Sequence, residues 1–561
     1  MESPRTAVSQ AAQANSCMKL QRKKRVQPKR IAKPFALVGV SVCLIAAAGC
    51  GKSPSASEPD TVNFLIESMP TSLDPRIGTD AQSEDIDGLI FDGLVQRDAQ
   101  MNVLPDLAQS WETPNPLTYV FHLRRGVRFH DGRTLTSADV KFTVESMISG
   151  SIPTPKRGSF ERVGSIEAPD DATVIFHLNE PFASFLLNLA RLAIGVVPRG
   201  SGSEPARDPI GTGPFRFVSM VSDEEIIVER NPAYFGQRPR IERVRFRVVP
   251  DAITRALELR KGSADIGGVN SLTPDMVLAL GKQPGVEVIE EPGTQLAYIA
   301  FNFADPALAN RNVRQALAYA TDRETIIRYL LRGQARPATS LLPPNHWAYE
   351  PDVKRYPYDP RQAERLLDGA GFSRGPDGIR LRLTLKTSTE ESTRLLAETL
   401  AEQWKRVGVG LVLRPLENAT FFSDISAGSF QVYTLRWTGF TNDDPDIFDY
   451  VFNSHRMPPE GANRGHYHNP DVDQLLAEQR GEMDQEKRKT ILSEIQKIVA
   501  EDEPYINLWY VDNTCVHRDR VRGIVIPPGG DYDFLKGVEL RDVGGDGWRT
   551  PGENQGEKAR R

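Results

Sequence analysis

Cysteine is scarce in this chain. Three of its four, Cys17, Cys43 and Cys50, fall in the first 50 of 561 residues, Cys515 stands alone, and no two are spaced as Cys-x-x-Cys. Neither a disulfide framework nor a structural zinc site is therefore encoded. Long apolar runs are missing as well: Phe35–Gly49 is a stretch of 15 residues, short of the roughly 20 that span a bilayer as a helix. His-Glu-x-x-His does not occur, and neither a hydrolase nor a zinc-protease template is expected. Gly51-Lys52-Ser53 has the ending of a phosphate loop, yet Ala46 stands where the loop needs its first glycine, so no nucleotide cradle forms. No internal repeat is visible.

Charge excludes another class. The first 49 residues hold nine of the 69 Lys and Arg and one of the 74 acids, so a chain of net −5 carries −13 on the remainder. A body this acidic is repelled by phosphate backbones, and nucleic acid is not an expected partner. What is present is ordinary for a folded protein: 39% hydrophobic and 25% charged residues. The length predicts two or three domains. Ahead of them, basic residues from Lys19 to Lys33, the short apolar run, and small residues up to Gly49 have the layout of a secretory signal. Met18 offers an alternative start. Residues 50–60, rich in Ser, Pro and Ala, read as a flexible tether.

The most specific stretch runs from Ala108 to Phe142. Tyr119, Phe121 and Leu123 alternate with smaller or polar residues, which predicts one buried face of a strand. Val127–His130 is a second extended run closed by the turn Asp131-Gly132. Thr136, three residues before Asp139, predicts a helix start. As a string, Ala108-x-x-Trp111, then Tyr119-x-Phe121-x-Leu123-Arg124-x-Gly126-Val127-x-Phe129-His130-Asp131-Gly132, then Ala138-Asp139-Val140 resembles the signature of the peptide- and nickel-type solute-binding proteins of ABC importers, family 5. Asp208-Pro-Ile-Gly211-Thr-Gly213-Pro-Phe215 and Asn312-Val-Arg-Gln-Ala-Leu-Ala-Tyr-Ala-Thr-Asp322 are further matches, and together they cover nearly all of 61–540.

That resemblance implies an α/β, periplasmic-binding-protein-like fold of class II type, with two lobes, a hinge and an extra inserted domain. It places lobe I at 61–94, 208–293 and 508–540, the inserted domain at 95–207 and lobe III at 294–507; residues 541–561, Gly-rich and charged, read by composition as a disordered tail. It also implies that Cys50, after Ala-Ala-Gly, is lipid-modified and holds an extracytoplasmic monomer to a membrane. The expected activity is capture of a small solute, a dipeptide or oligopeptide first, for delivery to ABC permease and ATPase subunits. A sugar or metal chelate is the alternative solute, and a sensor or chaperone role the alternative function. Neither an enzyme nor a cofactor or metal requirement is expected.

Further elements are legible locally. Asn63–Ile66 reads as a strand, Ile86–Leu94 as a helix, and Leu381–Leu385, Arg394–Val407 and Val409–Leu413 as a βαβ unit. Thr321 with Glu324 reads as a capping box. Gln485–Glu501 reads as a helix with Ile491, Ile495 and Ile498 inward, followed by a strand from Tyr505 to Val511 that returns to lobe I.

By the same resemblance the ligand faces Trp437, Thr438, Gly439 and Phe440. Peptide binders carry an Asp three residues after this Trp, paired with the ligand's ammonium; this chain has Phe440 there, and Asp443 or Asp444 is expected to substitute. Thr79 and Asp80 are expected near the ligand backbone. No arginine between Lys386 and Arg394 matches the family's carboxylate clamp. His455, His466 and His468 are read as loop residues and not as metal ligands.

Overall fold

The computed structural model describes residues 60–190, 194–437 and 444–541; the signal, Cys50, the tether up to residue 59, the tail beyond Arg541, and Thr438, Gly439, Phe440 and Asp443 lie outside the described residues. Two mixed sheets organise it. The seven-stranded sheet has Thr61–Ile66 at its centre, parallel to Arg243–Val248 and Ile266–Val269. All six residues of Thr61–Ile66 are buried, as a strand covered on both faces requires. The six-stranded sheet is centred on Leu296–Phe301, also buried throughout, between Val432–Trp437 and Tyr505–Val511. At its edge, Leu381–Ser388 and Val409–Leu416 run parallel, linked by the helix Glu391–Arg406. That helix buries Leu396, Leu400 and Trp404 against the sheet, the expected βαβ unit.

A third, four-stranded antiparallel sheet is built wholly within residues 108–178. Tyr119, Phe121 and Leu123 form its buried face as predicted, and Val174, Phe176 and Leu178 repeat the pattern on the paired strand. Thr136 starts the helix Ser137–Ile148, its backbone N–H donating to Asp139 at 2.8 Å. The sheet and helix enclose a core of their own, from Leu94 to Val196.

The two signature strings meet in space. The His130 N–H donates to the Gly211 carbonyl at 2.8 Å, the Gly211 N–H donates to His130 Nδ1 at 3.3 Å, and His130 Nε2 lies 3.1 Å from the Gly213 carbonyl. With Nδ1 accepting, Nε2 must carry the proton, so the ring is neutral. Burial pushes its pKa down to about 4. Unfolded, it titrates near 6.5; between about 4 and 6.5 the unfolded chain binds the extra proton, so His130 stabilises the fold above that window and loses this effect as pH falls through it. The stability advantage of the natural protein over His130→Gln should shrink by up to about 3 kcal/mol from pH 7 to pH 4. Urea unfolding midpoints across that range check it, and a constant difference would refute it.

Several local expectations are corrected. The first helix is Ala81–Ile90; it starts five residues before Ile86 because Asp80 caps it, and Leu94 lies past its end. Thr321 is not a cap: its hydroxyl donates to the Leu317 carbonyl at 2.8 Å and accepts from Trp404 Nε1 at 3.0 Å. Asp322 caps the helix Arg323–Tyr329 instead, accepting from the Thr325 N–H at 3.0 Å. In Gln485–Asp502 the buried face is Leu492, Ile495, Gln496 and Val499, while Ile491 and Ile498 are half-buried. Finally, Tyr505–Val511 belongs along its whole length to the six-stranded sheet, and the chain enters the seven-stranded sheet only at Asn513. A boundary between 507 and 508 thus falls inside a strand, because its apolar residues complete the core around Leu508 and Tyr510. The chain crosses between the sheets twice, between Glu291 and Leu296 and at Asp512.

Candidate functional site

The crossings define one end of the six-stranded sheet, and the predicted site lies there. Leu296, the first residue after one crossing, pairs with Trp437, the last residue of its strand. Tyr298, two residues along on the same face, stacks on Trp437 at 5.8 Å and on Tyr505 at 4.5 Å between ring centroids. Tyr433 meets Tyr298 edge-on at 6.0 Å. Period-two alternation on three adjacent strands produces this aromatic wall. The Arg464 guanidinium carbon lies 5.9 Å from the Trp437 ring centroid. Burial pulls the Arg464 pKa down, but the phenols of Tyr433, Tyr298 and Tyr505 outweigh it and hold the group above its ordinary value, so the cation persists.

Trp437 is 9% exposed and packs into the core. Among the described residues, its Nε1, the Tyr298 hydroxyl, and Nε and Nη1 of Arg464 are buried without a hydrogen-bond partner. Such groups are costly to leave unpaired. Arg464 was not singled out by the sequence; a charged residue between the loop glycines Gly461 and Gly465 gave only a faint signal.

Asp444 is engaged elsewhere. Its Oδ1 accepts from the Ser184 hydroxyl at 2.6 Å and from the Asp446 N–H at 2.9 Å, with Arg488 at 3.9 Å. Asp446 accepts from Gln479 Nε2 at 2.9 Å and faces Arg480 at 3.2 Å. Burial first, then the neighbouring Asp444 charge, pushes Asp446 up to about 6. Nothing near Ser184 or Arg488 in sequence marks them as partners of Asp444. A signal existed for Arg488, which shares a helix face with Leu492, Ile495 and Val499.

Asp80 and Thr79 lie in the other lobe. Asp80 caps Ala81–Ile90, its carboxylate accepting from the Ser83 N–H at 3.0 Å and the Thr71 N–H at 3.2 Å, and from both hydroxyls. Burial acts to raise its pKa, yet these hydrogen bonds prevail and lower it. Thr79 is exposed. The loop carrying both is anchored by Arg76, whose ion pair with Asp74 at 2.7 Å is fully buried.

Other chemistry finds no support in the geometry. Among the described residues no group of three or more His, Cys, Asp or Glu is arranged to hold a metal ion; His455, His466 and His468 are exposed. Gly371-Phe372-Ser373-Arg374-Gly375 does match the Gly-x-Ser-x-Gly spacing, correcting the expectation that no hydrolase template occurs. It follows a helix and precedes a strand, whereas a nucleophile elbow requires the reverse order. No helix among the described residues is long and apolar enough to cross a membrane.

Comparison with known proteins agrees with this architecture. The dipeptide-binding protein of Escherichia coli (strain K12) is 27% identical over 503 residues, covering 84% of this chain and 94% of its own length. Heme-binding protein A of Haemophilus influenzae is 29% identical, covering 90% and 99%. The periplasmic binding protein DppA of Helicobacter pylori, solved in complex with the peptide STSA, superposes with a TM-score of 0.68 at 27% identity, over 86% of this chain and 98% of that one. The family model of the bacterial extracellular solute-binding proteins, family 5, matches residues 102–458, and with two sheet-based lobes, two crossings and an inserted domain in place, the chain belongs to that family.

Proposed function

We propose that this protein is a lipid-anchored, extracytoplasmic receptor that captures a peptide between its lobes and passes it to an ABC permease. The observation that carries the reading is the end of the six-stranded sheet beside both crossings, where a stacked aromatic wall ends in Trp437 with an indole N–H that no described residue satisfies. Bending at Glu291–Leu296 and Asp512 closes the lobes over that end. The extended backbone of a peptide offers carbonyl acceptors to such a donor, and its side chains bury against the rings. Thr438, Gly439, Phe440 and Asp443, which follow Trp437 in sequence, are the further residues proposed to contact the solute, with Asp443 as acceptor for the ligand ammonium, and Thr79 is the proposed contact from the other lobe. The name of the E. coli relative supports a dipeptide or oligopeptide. Cys50 is the lipidated residue, and the domain assignment is that expected from the sequence, with the return to lobe I at Asn513.

Native mass spectrometry of the mature protein, with release and sequencing of bound material, tests the ligand class. A peptide is the expected species. Release of haem, a sugar or a metal chelate, with no thermal shift from a library of two- to five-residue peptides, would overturn the peptide reading. For the site, Trp437→Phe preserves most of the packing and deletes the N–H. It should weaken peptide binding about five- to tenfold, the worth of one hydrogen bond of about 1–1.5 kcal/mol, while leaving the melting temperature nearly unchanged. Unaltered affinity by calorimetry would remove Trp437 from the site.

A further inference from the structure

The inserted domain travels with the seven-stranded lobe. Its chain leaves that lobe after Ile90 and has rejoined it by Gly211 and Gly213, which pack on Ile90, and contacts fix the two together. These include His130 on Gly211 and Gly213, Arg76 donating to the Gly202 carbonyl at 2.6 Å, and Lys156 donating to the Pro75 carbonyl at 2.7 Å. The six-stranded lobe, by contrast, is tied to the seven-stranded one in sequence only through the two crossings. A contact between the inserted domain and the six-stranded lobe therefore spans two bodies that move when the crossings bend.

Such a contact exists, and it is built. Ser184, 0% exposed, uses its hydroxyl in both directions, donating to Asp444 Oδ1 at 2.6 Å and accepting from Arg488 Nη2 at 2.7 Å. Arg488, also buried, donates from Nε and Nη2 to Gln479 Oε1 at 3.0 and 2.9 Å, and Gln479 in turn donates to Asp446. Beside it the Ala183 N–H donates to the Arg480 carbonyl at 2.9 Å, and Arg480 pairs with Asp446 and with Asp449. The surrounding contacts are mostly polar, with Asn345 donating to the Ala99 carbonyl at 2.7 Å and the Trp347 N–H to the Gln100 carbonyl at 3.3 Å, while Met483 packs against the inserted domain's apolar core and the Arg480 guanidinium lies 5.7 Å from the Phe182 ring. A polar interface of this kind is the sort across which domains move, and a desolvated, charge-assisted cluster within it concentrates the energy in a few bonds.

We propose that Ser184, Asp444 and Arg488 form a latch that holds the inserted domain against the six-stranded lobe in the closed protein, so that the inserted domain takes part in retaining the solute. This rests on the binding-protein reading above and sharpens it. Asp444 is a positioning residue in the latch, not the acceptor of the ligand's ammonium. Its carboxylate is turned to Ser184, and the solute gains from it only through slower opening.

The test compares Ser184→Ala and Asp444→Asn with the natural protein, using trialanine and its N-acetyl form as probes. Stopped-flow dissociation is read alongside the inter-lobe distance from paired spin labels, one in the inserted domain and one in the six-stranded lobe. Both variants should release both peptides about tenfold faster, with association unchanged, and shift the distance distribution toward the open form. Loss of affinity in Asp444→Asn confined to the peptide with a free amine would overturn the proposal and return Asp444 to the ligand. So would unchanged dissociation and distances in Ser184→Ala, which removes one oxygen and leaves the fold intact. If the natural protein binds neither peptide, the mass-spectrometric and library test above decides the peptide reading separately, and the distances in ligand-free protein still decide the latch: an unshifted distribution in both variants refutes it.

Discussion

Gly211→Ala leaves little folded protein. A Cβ at this position would stand 2.0 Å from the Ile90 carbonyl oxygen and 2.7 Å from the Phe91 ring; at Gly213 it would stand 2.5 Å from the Ile90 carbonyl carbon. The obstacle at both is backbone at the end of a buried helix, not a side chain that can swing aside. The Gly213 N–H also donates to that same Ile90 oxygen at 2.9 Å, so separating the loop from the helix end forfeits a buried hydrogen bond. Ordinary overpacking costs about 1–3 kcal/mol; displacing this junction should cost more, against a total stability of about 5–15 kcal/mol. Gly369 supplies the control. It is exposed in the last turn of the helix Pro360–Gly369, and a Cβ added there would meet no atom within 4 Å. Gly369→Ala should therefore be neutral or stabilise by up to about 1 kcal/mol. Soluble yield and thermal unfolding of the two variants decide the matter, and a normally folded Gly211→Ala protein would refute the packing argument.

The second large effect is expected from Asp74→Ala. Asp74 and Arg76 are both 0% exposed and meet through two bonds, at 2.7 and 2.9 Å. Arg76 also donates to the Ser201 carbonyl at 3.3 Å and the Ser146 hydroxyl at 3.4 Å, tying the first-lobe loop to the inserted domain. Removing the carboxylate strands a buried guanidinium, a loss of about 3–5 kcal/mol. Desolvating two charges is itself unfavourable, so the double variant Asp74→Leu with Arg76→Met should recover most of that loss. Urea unfolding of Asp74→Leu, Arg76→Met and the double variant yields the coupling energy. A double variant no more stable than Asp74→Ala would show that the pair is needed for its shape as well as its charge balance. Because Thr79, proposed above to contact the ligand, lies three residues past Arg76, weakened peptide binding should accompany the single substitution.

Much of the architecture is written locally. Alternation at Tyr119, Phe121 and Leu123 specifies a strand face whatever surrounds it, since the pleat repeats every two residues. Asp359-Pro360 at a helix start and Gly408 between helix and strand act through backbone geometry over three or four residues. The same holds for the family strings, whose residue types were enough to name the kind of machine. Trp437 was legible only through that likeness, and the structure adds what it stands on, Tyr298 and Tyr505, both far from it in sequence.

What the sequence by itself determined, then, is most of the set of elements and the family. Only the tertiary structure decided how they are partnered. The strand Tyr505–Val511 reads the same in either lobe, because an apolar run does not state which sheet it completes. Asp444 reads as a free carboxylate until Ser184, 260 residues away, is brought to it. His130 and Gly211 look like separate signatures until folding sets one on the other. Local preferences extend over a turn or a pleat, whereas hydrogen-bond and charge partners are chosen by where the chain returns in space.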